Sequence, residues 1–275
     1  MDIATLQRLA ARTWPGLEQQ RLGEWELRAA GGFTGRANSA LAVGDPGLEL
    51  PEALQRVRDW YGERGLNPRL QVPAALEPET ELIPAIPRRA GQREIEASEA
   101  IARLCDAQGW AAEPWTLVMV RSATHSARES GMAVGARLRM RWADRPDDTW
   151  LDLYHYRGSQ LPATARRVIT AAPAHYLTAD LDGEPVGIGR AAVAGDVVVL
   201  TAIEVVTRHR RRGMGAEITE ALAAKGAEAG ASLSVLQVFA HNDRAVSLYR
   251  KLGYLAHHRY RYRYLPPADA ATAQQ

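Results

Sequence analysis

One cysteine, two lysines and no long apolar run narrow this 275-residue chain before any motif is considered. Cys105 alone excludes an internal disulfide and a multi-cysteine metal site. It stands beside Ile101 and Leu104 in a helical pattern, where a buried, inert thiol is expected. Lys225 and Lys251 are the only lysines; arginine supplies the rest of the positive charge, and the net charge of +2 gives no ground for nucleic-acid or membrane binding. No window approaches about 18 uninterrupted apolar residues, the length a membrane span needs. Met1 to Trp14 carries Asp2 early and lacks the basic flank and apolar block of a signal peptide, so a cytoplasmic protein is the expectation. What is present is ordinary for a soluble globular chain: 46% apolar and 24% charged, enough for one large domain or two small ones.

Along the chain, residues 3–12 suit a short helix, with Ile3, Leu6, Leu9 and Ala10 on one side. Trp25 to Ala30 and Arg36 to Val43 read as strands joined by Gly31-Gly32-Phe33-Thr34-Gly35. A helix is expected from Pro51 to about Arg64, a strand at Arg69 to Val72, a loop over Pro73 to Arg93, a helix over Glu94 to Gln108 and a strand at Trp115 to Arg121. Ser122 to Gly135 is the best linker. A second pattern follows: strand Arg137 to Trp142, a helix capped near Asp147 and running to about Tyr156, and a helix over Ala163 to Ala171. Tyr176 to Leu181 and Val186 to Val193 flank Asp182-Gly183, a strong hairpin signal. Strand Val197 to Val206, helix Ala216 to Ala229, strand Leu233 to Phe239, helix Asp243 to Leu252 and strand Tyr254 to Tyr264 complete the chain. The order predicts an α/β (α+β) protein, with a mixed central sheet and helices on both faces. A faint repeat accompanies it: Leu70-Gln71-Val72 recurs as Leu236-Gln237-Val238.

The most informative stretch is Arg210-Arg211-Arg212-Gly213-Met214-Gly215. It joins an apolar strand to a helix. Free backbone N–H groups and the positive end of the helix dipole converge at such a junction, which suits an anion. Gly213 and Gly215 have no Cβ to hold a phosphate away, and the arginines add charge-assisted hydrogen bonds. A phosphorylated ligand is expected; a plain helix entry turn with a solvated basic loop is the bland alternative, above all for Arg208 and one of Arg211 or Arg212.

The run Val205 to Ala216, together with Ala240-His241-Asn242-Asp243-Arg244-Ala245-Val246-Ser247-Leu248-Tyr249-Arg250-Lys251-Leu252-Gly253-Tyr254, resembles the GNAT superfamily of acetyl-CoA-dependent N-acetyltransferases. The first stretch matches its phosphate motif and the second its Asn, Ala, Leu-Tyr, Leu-Gly-aromatic pattern, over about 145–265. The resemblance implies a GNAT fold and acetyl-CoA as co-substrate, with the pyrophosphate on the backbone from Arg211 to Ala216, including Arg212, Gly213, Met214 and Gly215. Arg210 takes the motif's Gln/Arg position. Val205 and Val206 would pair with the pantetheine amides like an added strand, in the opening between strands 197–206 and 233–239.

Acyl transfer to an amine requires removal of the amine proton, stabilisation of an oxyanion and departure of a thiolate. The resemblance implies Tyr249 as general acid at the sulfur; packing of a helical face is the alternative. Asn242 can contact the pantetheine arm or simply cap its helix. Glu204, the carboxylate of strand 197–206, is the candidate base, directly or through water. His209 is expected to be structural, and His257-His258 lacks a spaced partner for a metal. Alternating Arg259 to Tyr264 suits a last strand with tyrosines on one face and arginines on the other better than a nucleic-acid platform. Six tryptophans, Trp25, Trp60, Trp110, Trp115, Trp142 and Trp150, suit core packing, with the lining of an acceptor pocket as the alternative for some.

The expectation is therefore a two-domain chain. Residues 1–125 form a smaller, degenerate GNAT-like half without an Arg-x-x-Gly-x-Gly motif, and 126–275 an acetyl-CoA-binding catalytic half. It transfers acetyl to a primary amine in a ternary complex, because Cys105 is badly placed for an acyl-enzyme. The acceptor is an amine-bearing small molecule or peptide, with no metal, no nucleic acid and no membrane; a homodimer is compatible with the sequence. Gly31 to Ser39 either projects towards the cleft or is a plain turn. A non-catalytic CoA-binding module is the rival reading; an RNA-binding protein is the third.

Overall fold

Val197 and Val199 pack on one side of the central sheet and Val198 and Leu200 on the other. A strand apolar on both faces must be covered on both faces, and helices do so here. The computed structural model describes residues 1–76, 92–125, 138–155 and 161–266, with backbone alone for 92–94. In order they form α1 (Ile3–Thr13), β1 (Glu18–Leu22), β2 (Trp25–Ala29), β3 (Ala40–Leu41), α2 (Leu50–Gly62), β4 (Arg69–Ala74), α3 (Gln92–Ala107), β5 (Ala111–Ala112), β6 (Thr116–Ser122) and β7 (Arg139–Ala143). Then come α4 (Asp148–Leu153), α5 (Ala165–Ile169), β8 (His175–Leu181), β9 (Glu184–Ala194), β10 (Val197–Val205), α6 (Met214–Glu228), β11 (Leu233–Phe239), α7 (Asp243–Lys251) and β12 (Leu255–Tyr264). No helix among the described residues is long and apolar enough to cross a membrane.

The strands form one 12-stranded sheet, ordered β1-β2-β3-β4-β12-β6-β11-β10-β9-β8-β7, with β5 on β12. The order is nearly symmetric about the β12–β6 pair. On one side β3 and β4 are parallel; on the other β10 and β11 are. A helix, α2 or α6, connects each parallel pair, as a parallel crossover demands. The last strands are exchanged: β6 pairs with β11 and β12 pairs with β4, and the two pair antiparallel with each other. The Leu-Gln-Val repeat occupies matching places, since Leu70 registers with Ala40 and Leu236 with Leu200. Residue 125 thus lies just past β6, a strand whose neighbours are both from the other half of the chain.

α6 packs against β9 and β10, burying Ile218, Leu222 and Ala223 against Val198 and Leu200. Gly226 permits the close approach: a Cβ there would stand 2.4 Å from the Val198 Cβ. α1 covers the opposite face through Leu6 and Ala10. The hairpin turn at Asp182-Gly183 has both φ values positive, 52° and 86°, as a tight type I′ turn requires.

Four expectations change. The strand expected over Arg36 to Val43 shrinks to Ala40–Leu41, because the Asn38 side chain bonds Ala30, Gly32, Phe33 and Thr34 and holds the preceding residues as a loop. β1 has no apolar alternation to betray it; Glu18 to Arg21 are exposed, and Gly23 turns the strand back onto β2. The helix expected to reach Tyr156 ends at Leu153. Trp142 is not a core residue: it lies 36% exposed under Lys225. Of the expected linker at 122–135, Ser122 ends β6, and residues 126–137 lie outside those described; so do 77–91 of the expected loop. Arg259 and Arg261 lie over Trp115 on one face of β12, and Tyr260 and Tyr262 are buried on the other, as the alternation predicts. Cys105 is fully buried, and burial pushes its thiol up to about 11.

Candidate active site

β10 and β11 are paired only from Val197–Leu233 to Leu200–Leu236. Beyond that, a bulge between Thr201 and Glu204 shifts the β10 register against β9, and Ala202 adopts a φ of 53°. A left-handed non-glycine residue costs about 1 kcal/mol or more. β10 stays with β9 through Val205 and leaves β11. A cleft of about 440 Å³ opens in the gap, bounded by Leu200 to Glu204 on one strand and by Leu236, Gln237 and Phe239 on the other.

The bulge decides which side of the sheet each residue faces. Ile203 and Val205 pack with the α6-side core, together with Leu248 and Tyr249 of α7. Glu204 turns the opposite way, to the backbone N–H of His155, which donates to its Oε1 at 2.9 Å; the His155 Nδ1 lies 3.6 Å from Oε2. Burial raises the Glu204 carboxyl above its ordinary range, and the His155 hydrogen bond partly opposes this. Tyr249 and Asn242 line the same cleft. Tyr249 packs edge-on against Tyr254, with ring centroids 6.0 Å apart. Burial, then Tyr254, raises its phenol well above the usual tyrosine value, so it stays protonated. Asn242 caps α7: its Oδ1 accepts from the Ala245 N–H at 3.2 Å.

The turn from β10 into α6 has the stereochemistry of an open N-terminus. Arg211 and Gly213 are left-handed, at φ values of 65° and 85°. Ala216 and Glu217 donate to the Gly213 carbonyl. Among the described residues, the N–H groups of Arg211, Arg212, Gly213, Met214 and Gly215 find no backbone acceptor. Gly213 is required by its φ; a Cβ on Gly215 would merely touch Leu248 at 3.4 Å. Met214 and Ala216 are buried beneath the turn. Arg210 folds back, its Nε donating to the Val205 carbonyl at 2.9 Å. Val206 donates its N–H to Val186 on β9. Arg208 is not part of the turn's open face: it pairs with Glu184, and its Nε donates to the His209 ring.

Several cleft residues had escaped sequence reasoning. Tyr154 and His155 lie just past α4, and only the carboxylate they meet marks them. Thr34 and Arg36 come from the first half of the chain, more than 160 residues before Leu200, and Tyr260 and Tyr262 come from the exchanged strand β12. The glycine-rich Gly31 to Ser39 segment does reach the cleft. No tryptophan lines it. Among the described residues no group of His, Cys, Asp and Glu side chains could hold a metal.

Comparison with known proteins agrees with this architecture. A family model described as "Probable histone acetyltransferase Rv0428c C-terminal" matches residues 1–85 and 75–263. The chain is 29% identical over 273 residues to the probable histone acetyltransferase Rv0428c of Mycobacterium tuberculosis, covering 94% of this chain and 73% of that protein. It is 26% identical over 269 residues to the uncharacterized N-acetyltransferase YobR of Bacillus subtilis, covering 94% and 98%. A GCN5-related N-acetyltransferase from Kribbella flavida superposes over 99% of both chains, with a TM-score of 0.69 and 18% identity. A tandem GNAT protein of the clavulanic acid biosynthesis pathway superposes over 84% of this chain and 76% of its own, at a TM-score of 0.56 and 15% identity. Such low identities show a shared fold, and the family match shows descent: the chain belongs to the Rv0428c C-terminal family, an acyltransferase family of the GNAT superfamily of N-acetyltransferases.

Proposed function

We propose that this protein transfers the acetyl group of acetyl-CoA to a primary amine by direct attack in a ternary complex. The observation that carries the proposal is the divergence of β10 from β11 after Leu200–Leu236, which gathers Glu204, Asn242 and Tyr249 around one cleft beside the α6 N-terminus. The unpaired N–H groups from Arg211 to Gly215, the helix dipole and the exposed Arg210, Arg211 and Arg212 suit a pyrophosphate. The edge of β10 at Val205 suits the pantetheine amides once Arg210 leaves the Val205 carbonyl for the pyrophosphate, whereas the Val206 N–H is engaged by β9. Asn242 keeps its side-chain N–H₂ group for the same arm while its oxygen caps α7.

Glu204 takes the amine proton. Its raised pKa brings it nearer to neutrality, which suits a general base. The amine nitrogen forms a bond to the thioester carbonyl carbon, the C–S bond breaks, and Tyr249 supplies a proton to the departing sulfur. A phenol held neutral by burial suits that step. Cys105 is buried in the α2–α3 core, so it cannot serve as an acyl carrier.

Release of free thiol from acetyl-CoA, measured against a panel of primary amines, tests the reading. Binding of acetyl-CoA with no amine-dependent release would favour the non-catalytic CoA-binding module.

A further inference from the structure

The acceptor side of the cleft carries a second charge. Asn38 builds the loop that presents it. Its Oδ1 accepts from the Ala30 and Gly32 N–H groups at 2.7 and 2.8 Å, and its Nδ2 donates to the Phe33 and Thr34 carbonyls at 2.6 and 2.9 Å. A side-chain amide satisfied on both atoms at short range makes a rigid loop. Thr34 is left-handed at a φ of 62° and accepts from Trp14 Nε1 at 3.0 Å. Two residues on, Arg36 reaches the cleft from this platform, half-buried, its guanidinium 4.9 Å from the Trp14 ring centre.

Arg36 meets no carboxylate among the described residues; its one polar contact is a long 3.5 Å approach to Gln237 Oε1. That oxygen already accepts from the Tyr260 hydroxyl at 3.1 Å. The same Trp14 ring has a second guanidinium, Arg190, also at 4.9 Å. Arg190 is fully buried and, among the described residues, is bonded only to the Ala172 carbonyl and the Tyr176 hydroxyl, with its Nη1 unsatisfied. A third buried arginine, Arg28, is satisfied by Ser39 and Gln71 alone. Arg190 and Arg28 do not line the cleft but add positive charge behind Arg36, none of the three meeting a carboxylate among the described residues, and a half-desolvated guanidinium favours an anion that can reach it. Among the described residues lining the cleft, Glu204 is the one carboxylate.

We propose that the acceptor carries a carboxylate in addition to its amine, and that Arg36 binds that carboxylate while the amine faces Glu204. The proposal rests on the acyl-transfer reading above and narrows its substrate class to small amino acids. A plain alkylamine would leave Arg36 unpaired, and a polycation or a lysine-rich peptide would be repelled by Arg36 and the buried Arg190 and Arg28 behind it.

The test uses ω-amino acids of increasing chain length, their primary amides, the matching alkylamines and a lysine-rich peptide as acceptors in the thiol-release assay. At the best length the acid should exceed its amide in kcat/KM by roughly tenfold to a hundredfold, the range of one charge-assisted pair. In Arg36→Gln the acid should fall to the kcat/KM of its amide in the same variant, and Arg36→Lys should restore part of the preference. An amide or lysine-rich peptide that matches or exceeds every acid overturns the proposal; so does an Arg36→Gln loss shared equally by acids and amides. Calorimetry with CoA and N-acetyl amino acids, against their amides, separates the two readings. Carboxylate-dependent binding that Arg36→Gln abolishes, without turnover, keeps the anion site and sinks acyl transfer. Equal binding of acid and amide by a folded protein sinks the site.

Discussion

The Nε2 atom of His258 lies 2.6 Å from the side-chain nitrogen of Gln7, tying the last strand to the first helix across 251 residues. Gln7 donates there, so His258 carries its proton on Nδ1 and donates to His257 Nδ1 at 2.8 Å; His257 Nε2 in turn donates to the Met1 carbonyl at 3.1 Å. Upstream, Gln71 donates to Gln7 Oε1 and Arg28 donates to Gln71 Oε1. Every bond of the chain runs in one direction, and it closes only with a neutral His258.

Burial, and then His257, holds His258 well below its ordinary value of 6.5. A base whose folded pKa is depressed contributes nothing adverse above the unfolded value. As pH falls below 6.5, the unfolded chain gains a proton that the folded chain refuses. Stability should be full at pH 7 and above and should then decline on acidification, by at most about 1.4 kcal/mol per pH unit from this group. Urea unfolding at pH 8, 7, 6 and 5 measures the slope, and His258→Gln should flatten it.

Replacing Tyr249 by Phe removes one oxygen from the cleft and keeps the ring against Tyr254. The expected effect is a fall of about 10²–10⁴ in kcat, the usual range for a general acid, with little change in acetyl-CoA affinity. Steady-state kinetics beside calorimetry read both quantities. An unchanged kcat in the folded variant removes Tyr249 from the acid role.

Glu204 acts as a base only when ionised, and its pKa is raised. The acidic limb of kcat/KM against pH should therefore lie above the ordinary carboxylate value of 4.5, and activity should fall as pH drops through it. Glu204→Gln should lower kcat/KM by roughly 10²-fold or more and remove that limb. A limb that persists in the Gln variant assigns the base elsewhere.

Gly226→Ala would ordinarily help a helix by about 1 kcal/mol. Here the new Cβ meets all three Val198 side-chain carbons at 2.4–2.5 Å. Overpacking of that kind costs about 1–3 kcal/mol, so a net loss is expected in the denaturation midpoint. Val198→Ala should recover part of it in the double variant.

One acetyl-CoA per chain is the expected stoichiometry. Where the turn into α6 offers arginines and free N–H groups, the corresponding stretch between β3 and α2 reads Gly44-Asp45-Pro46-Gly47-Leu48-Glu49. Asp45 is turned onto the Gly47 N–H, Glu24 takes the Asp45 N–H, and Pro51 has none to give. Carboxylates and spent donors repel a pyrophosphate. Isothermal titration that fits two sites per chain would falsify this.

Much of the fold was legible because its signals are local. The Asp182-Gly183 hairpin, the alternation of β12, the Asp147 cap and the glycine turn at Gly213 each need only their neighbours. β1 was illegible because an exposed edge strand has no apolar face to pattern, and the loop before β3 because its shape depends on the hydrogen bonds of one side chain, Asn38. The tyrosine, asparagine and glutamate of the cleft could be named from motif and strand position. His155 could not, since nothing in its own surroundings distinguishes it from a surface residue; Arg36 was legible only as part of the glycine-rich segment Gly31 to Ser39, one reading of which projects it to the cleft.

The sequence by itself determined the element types, the phosphate-suited turn and the family, because propensity, turn stereochemistry and motif spacing act over a few residues. Only the tertiary structure decided that β6 and β12 exchange places, that the bulge at Ala202 turns Glu204 away from α6 towards His155, and that Arg36 from the first half faces a cleft built on the second. Those outcomes depend on strand pairings and side-chain contacts between residues distant in sequence, 49 positions apart for His155 and Glu204 and farther for the exchanged strands, where no local pattern carries information about them.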